Sequence, residues 1–409
     1  MRFYKIFWTG WNRREKMRIR LEALRMTMDN ALRIMDKHIP IRLEGPTGKY
    51  DERDYIDLLI TVAILRTTPE KVWRLTAKRS SHRHTPSPDA LFYHIKKLDT
   101  NDIIKFVEEM VDASIERARS LGFLKKPVDV AIDVHDWLYY GKKNDWVLGT
   151  KPRNGAKYAF KYITASIVSG RAKLHVAVLP MKSYDDAKKL IVPILGRLRR
   201  ELKIRIVYLD RHFYHIVVVE YLKRLRVKFV IQAPEVAEVK SALGGNTGKV
   251  RVVKGFRMSY GSGGLHVTSV NLFAVPSRHR KRKRVCFITN VDVDRDSARR
   301  LAELYRRRWN IETSYRMIKH TFLPRTASRS GIVRFFFFAF GVCLFNLYVL
   351  ALLMLNRLSK HCSSYNISCG LSFLFVVSRN FDRLGGTLSG FLGFNGKCVE
   401  AKSTAPRGV

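Results

Sequence analysis

Between Tyr305 and Lys319 the chain reads YRRRWNIETSYRMIK. A helix advances about 100° per residue, which places Tyr305, Arg308, Glu312 and Lys319 within an arc of about 60°, with Arg316 and Trp309 on its margin. One carboxylate is therefore flanked by arginine, lysine and a phenol. An i,i+4 ion pair explains Arg308 and Glu312, but not the rest of the cationic stripe. A carboxylate supplies a hard oxygen ligand for Mg²⁺, and arginine and lysine hold phosphate. The stripe thus points to metal-assisted chemistry at a phosphodiester.

One carboxylate cannot position two cations, so further acids must come from elsewhere. Asp133 lies in the alternating stretch VDVAIDVH, and Asp210 ends IRIVYLD. An acid in an apolar strand is costly unless it is paired or bound to metal. Asp133, Asp210 and Glu312 form the candidate ligand and catalytic set. Asp136 and Asp129 remain open as alternatives to Asp133. Two Mg²⁺ ions roughly 3.5–4 Å apart, with Mn²⁺ as a possible substitute, would let the protein dispense with a nucleophile of its own.

The charge balance agrees. The 409 residues carry 76 Lys+Arg against 35 Asp+Glu, a net +41. Such self-repulsion calls for a polyanionic partner, nucleic acid first and a membrane surface second. The five cysteines form no CxxC pair, which excludes the usual zinc modules and suits a reducing compartment. His82, His84 and His94 offer a metal reading, but a basic solvated loop accounts for them. The basic N-terminus lacks the apolar core of a secretory signal.

The elements that must position these residues can be read in order. Residues 1–120 are helical: Ser87, Pro88 and Asp89 start one helix, and Thr68, Pro69 and Glu70 another. Two short capped helices joined by a basic connection fit either a DNA reader or an ordinary bundle. From residue 128 strands appear: VDVAIDVH, then YAFKYITASIVSG and AKLHVAVLPM as a hairpin. A helix at 184–202 (despite Pro193), the strand IRIVYLD, a helix in YHIVVVEYLKRL and the strand KFVIQAP follow. The fold class is α/β, a mixed sheet flanked by helices. A glycine-punctuated β-rich insertion spans 235–294 and contains RHRKRKR at 278–284. One helix then runs from Asp296 to Phe322. The tail at 356–409 shows no period.

Tyr305, two residues, Arg308, three residues, Glu312, six residues and Lys319 resemble the Tyr-Arg-Glu-Lys signature of DDE transposases of the insertion sequence 4 type. LDRHFY around Asp210 resembles that family's second acidic motif, and AIDVHDWLYYGKK its first. His212 stands where the family often has glycine, and the insertion has no tryptophan. The resemblance covers about 125–350. It implies a ribonuclease H-like catalytic domain at 121–355, cleavage and strand transfer of double-stranded DNA at element ends and target, and a homodimer on DNA. Arg308, Lys319, Arg316, Arg211 and Tyr305 are then expected at DNA phosphates.

The segment 335–355, FFFFAFGVCLFNLYVLALLML, is long and apolar enough to span a membrane. The family has such a helix, with a central Asn, inside the protein, so a core helix, no membrane partner and a cytoplasmic, nucleoid-associated location are expected. A cellular nuclease of the same fold and a DNA-binding remnant without activity are the other readings.

Overall fold

The computed structural model describes residues 33, 35–41, 50–77, 85–245, 249–260, 266–277 and 284–358. His82, His84 and the tail from residue 359 lie outside them. After a helical stretch at residues 35–38, the described residues continue with α1 (Glu52–Ile64), α2 (Pro69–Ala77), α3 (Pro88–Lys96) and α4 (Thr100–Ser120). Their starts follow from local chemistry. Asp51 with Asp54, and Asp99 with Asp102, form reciprocal capping boxes, and Ser87 accepts from the Ala90 N–H. His94 makes ring contacts with Tyr55 and Tyr93.

The α/β part follows as β1 (Val128–Tyr139), β2 (Val147–Arg153), β3 (Ala156–Ile167), β4 (His175–Met181), α5 (Asp186–Glu201), β5 (Ile204–Leu209), α6 (Ile216–Arg224), β6 (Phe229–Ala233) and α7 (Ala237–Leu243). Next come β7 (Arg251–Tyr260), β8 (His266–Pro276), β9 (Arg284–Thr289), α8 (Arg295–Tyr305), α9 (Trp309–Met317) and α10 (Gly331–Leu358). Pro193 does not break α5, because it sits on the exposed face, away from the buried Ile191, Ile194, Leu195 and Leu198.

Nine strands form one sheet in the order β2-β3-β1-β5-β6-β9-β8-β7, with β4 also paired to β3. The pairs β1–β5 and β5–β6 are parallel, and the rest antiparallel. The strand β2 was not among those expected. Its signal is Asn154-Gly155, both with positive φ (51° and 78°), which turns β2 into β3. The β-rich insertion does not stand apart. Its last strand, β9, pairs with β6, so it widens the main sheet.

The alternation in β1 has the expected two faces. Val128, Val130 and Ile132 join the larger core, while Ala131 joins a second core with Tyr208, Phe287, Tyr305 and Tyr315. Because β1 is a central strand, both faces are covered.

The helix α10 lies in the larger core. Its membrane-length stretch, Gly331–Met354, is buried within the protein at every position but Ile332 and Met354. Phe336 stacks on Phe106 of α4, Phe337 on Phe92 of α3, and Phe335 and Phe338 on Tyr162 of β3. Burying each such ring is worth about 1.5–3 kcal/mol. Buried residues of α1, α3 and α4 thus belong to the same core as the sheet.

Candidate active site

The ladder between β1 and β5 sets the first two acids. Ile132 is the register partner of Leu209, so Asp133 and Asp210 are the next residues on two adjacent parallel strands. Such strands run about 4.8 Å apart. Asp210 caps a short 3₁₀ turn, Arg211–Phe213, and accepts from the Arg211 N–H. His212 Nδ1 stands 3.4 Å from its carboxylate.

The third acid arrives on the segment after β9. The single helix expected from 296 to 322 is instead α8, a 3₁₀ turn at Arg306–Arg308, α9 and a π-helical turn at Ile318–Phe322. Tyr305 closes α8. It is only 6% exposed, its ring meets Phe287 and Tyr208, and its hydroxyl donates to Leu209 O at 3.0 Å. Tyr305 was expected at a DNA phosphate; here its hydroxyl bonds the chain's own backbone. Its hydroxyl is already engaged, and it anchors the helix to the strand end that carries Asp210.

Arg308, also expected at a phosphate, bonds carboxylates of the chain. It is buried, and its fork spans two of the acids: Nη1 donates to Asp133 Oδ2 at 3.0 Å and Nη2 to Glu312 Oε1 at 2.9 Å. Its buried Nε has no hydrogen-bond partner. Burial pushes the Asp133 carboxyl up to about 7; Arg308 and the Val134 N–H oppose this, and Asp210 and Glu312 add to it. Burial also works to raise Asp210, but the bonds from His212 and the Arg211 N–H, with Arg308, hold it below the usual carboxylate range. The bond to Asp210 in turn raises His212.

Arg211, Arg316 and Lys319 are exposed. Among the described residues their side chains make no ion pair or hydrogen bond. Of the rivals to Asp133, Asp136 pairs with Lys161 at 2.7 Å and accepts from Thr150 at 2.9 Å. It lies three residues on from Asp133, on the opposite face of β1. Asp129 is fully buried and bonded by Arg205 and Arg307.

A buried polar network that composition and motif do not mark holds α9 in place. His175 on β4 shares hydrogen bonds with Ser166 on β3 and Ser314 on α9, each 2.7 Å. Asn346 of α10 pairs with both backbone groups of His175, accepting at 2.9 Å and donating at 2.8 Å. Tyr315 hydrogen-bonds Thr164. Glu312 is thus steadied through Ser314 and Tyr315, its near neighbours.

Burial lowers His175 to about 3 and His135 to about 4. The unfolded chain protonates these groups near 6.5. Below that pH the unfolded state binds more protons, so stability is complete above about 6.5 and falls as pH drops, by about 1.4 kcal/mol per pH unit for each histidine. Urea midpoints at pH 7.5, 6 and 5 check this. His175→Gln should lessen that fall by about 1.4 kcal/mol per pH unit between about pH 6.5 and 5, and an unchanged slope would acquit His175.

Three carboxylates, one of them buried beside the other two, form a donor set whose chemistry suits a hard divalent cation. Among the described residues, no three His, Cys, Asp or Glu side chains stand close enough together to hold a metal ion. The guanidinium of Arg308 bonds both Asp133 and Glu312 and supplies positive charge between them.

The transposase DDE domain family model matches residues 124–347, which contain all three acids. The fold is similar to that of a cryo-EM structure described as a piggyBac transposase synaptic complex with hairpin DNA. The TM-score is 0.53 at 13% sequence identity, covering 93% of this chain and 84% of that chain. A search of curated proteins returns no match. The β4-β3-β1-β5-β6 sheet flanked by helices is ribonuclease H-like, and the family match spans more than half of the sequence. The chain belongs to the transposase DDE domain family.

Proposed function

We propose that this transposase cleaves double-stranded DNA at the ends of an insertion sequence and joins them to a target, in the manner of the insertion sequence 4 type. What supports this reading is that Asp133 and Asp210 follow register partners on adjacent strands, and that one arginine bonds both Asp133 and Glu312. Asp133, Asp210 and Glu312 would hold Mg²⁺ ions, with Mn²⁺ able to replace them. When bound, such ions lower the pKa of the attacking water or 3′-hydroxyl and offset charge on the leaving oxygen.

The chain's own groups supply the rest. Tyr305 keeps the helix registered on β5. Arg308 offsets the charge of Asp133 and Glu312. Arg211, Arg316 and Lys319, exposed around the acids' helix and turn, hold phosphates of the bound DNA. A net charge of +41 provides long-range attraction to that DNA. The working form is a homodimer on DNA in the cytoplasm, at the nucleoid.

Incubation of the purified chain with Mg²⁺ and DNA carrying its element ends tests this. Nicking should occur, and Asp210→Ala and Glu312→Gln should each abolish it, with Glu312→Gln leaving DNA affinity intact or improved. Nicking that survives both substitutions would exclude the assigned acids.

A further inference from the structure

We propose that Arg205 and Arg307 form a second DNA-phosphate site, built on Asp129 and separate from the catalytic acids. The proposal rests on the DNA-cutting function above and adds to it a place where the backbone beyond the cut is held.

Asp129 lies near the start of β1 and is 0% exposed. Arg205 meets it with two parallel bonds, Nε to Oδ1 and Nη2 to Oδ2, both 2.6 Å. Arg307 adds a third, Nη1 to Oδ2 at 3.1 Å. One arginine suffices to neutralise one carboxylate. The second leaves a net positive charge fixed at the surface, where the Arg205 and Arg307 side chains are 50% and 42% exposed. Among the described residues, neither guanidinium makes a further hydrogen bond, so the outward N–H groups of both forks stay available. A fork held in place by a buried acid has already lost its rotamer freedom, which lowers the cost of taking up a phosphate.

The position relative to the acids is set by the strand. Arg307 and Arg308 are consecutive, yet Arg308 turns to Asp133 and Arg307 to Asp129. Those carboxylates lie on one face of β1, four residues apart, or about 13 Å. A DNA strand advances about 3.4 Å per nucleotide along its axis, so the site falls roughly four nucleotides from the phosphate at the acids. Lys173 Nζ donates to Asn310 Oδ1, three residues on from Arg307, at 3.3 Å.

The test measures binding of the full chain to end-sequence DNA in EDTA, where no cutting occurs, over a range of salt. Arg307→Gln keeps the bidentate Asp129–Arg205 pair, so its melting temperature should match that of the unsubstituted protein. Its affinity should fall about tenfold, and the slope of log K against log salt should flatten by about 0.9. Arg307→Lys should recover the slope. Neutral methylphosphonates placed two to six nucleotides from the cut should weaken binding of the unsubstituted chain but cost Arg307→Gln nothing further at one position. An unchanged slope in Arg307→Gln, or a methylphosphonate penalty equal in both proteins at every position, overturns the site. A slope lost equally in the Gln and Lys variants, with lowered melting temperatures, assigns Arg307 to packing and also overturns it. Cutting that persists alongside an unchanged slope refutes this site alone. A flattened slope in a chain that never cuts refutes only the proposed reaction.

Discussion

Arg308→Met should destabilise the protein in EDTA by about 3–5 kcal/mol at high pH, and Mg²⁺ should recover much of that loss. Removing one partner of a buried ion pair leaves a charge without compensation, and here two acids share the same arginine. The cost has a pH dependence with a definite sign. Burial already raises Asp133 to about 7, and without Arg308 it rises further, so at pH 6 the carboxyl takes a proton and escapes most of the penalty. At pH 8 it must either ionise unpaired or bind a proton against the bulk. Thermal melts at pH 6 and pH 8, with EDTA or Mg²⁺, check this: the variant's deficit should be larger at pH 8 and shrink with metal, because a ligand that binds only the folded state stabilises it by mass action. A deficit that is equal at both pH values and indifferent to Mg²⁺ would make Arg308 a packing residue and nothing more.

Asn346→Leu should cost about 3 kcal/mol or more, although leucine matches asparagine in size and the helix around it is apolar. The substitution strands the backbone N–H and C=O of His175 in a fully buried place, and each orphaned group costs about 1–3 kcal/mol. The loss also loosens the link from His175 to Ser314, two residues from Glu312. Urea unfolding with an unchanged m-value and a lower midpoint is the expected result. A stability equal to that of the unsubstituted chain would mean that β4 re-pairs its backbone elsewhere. The same asparagine clarifies the membrane-length helix, since its side chain is consumed by a strand of the protein's own sheet.

Much of the arrangement is legible in the sequence because it depends on local periodicity. The alternation in VDVAIDVH marks a strand, the cap at Ser87 marks a helix start, and the spacing of Tyr305, Arg308 and Glu312 marks one helical face whether or not a 3₁₀ turn interrupts it. That face does turn toward the sheet. What the face touches is another matter. A phenol and a guanidinium beside an acid read as phosphate ligands, but burial assigns the Tyr305 hydroxyl to Leu209 O and the Arg308 fork to two carboxylates.

The choice among Asp129, Asp133 and Asp136 shows the division most clearly. Each is an aspartate in the same strand, and nothing local separates them. Register brings Asp133 beside Asp210, while Arg205 and Arg307 claim Asp129, and Lys161 claims Asp136. The sequence by itself determined which residue types were present, most of the helices and strands, and a charge balance that calls for a polyanion, since composition and short-range sterics act within a few residues. Only the tertiary structure decided which charges meet, because pairing between groups dozens to hundreds of residues apart depends on strand register and burial, and neither is written in any single stretch of chain.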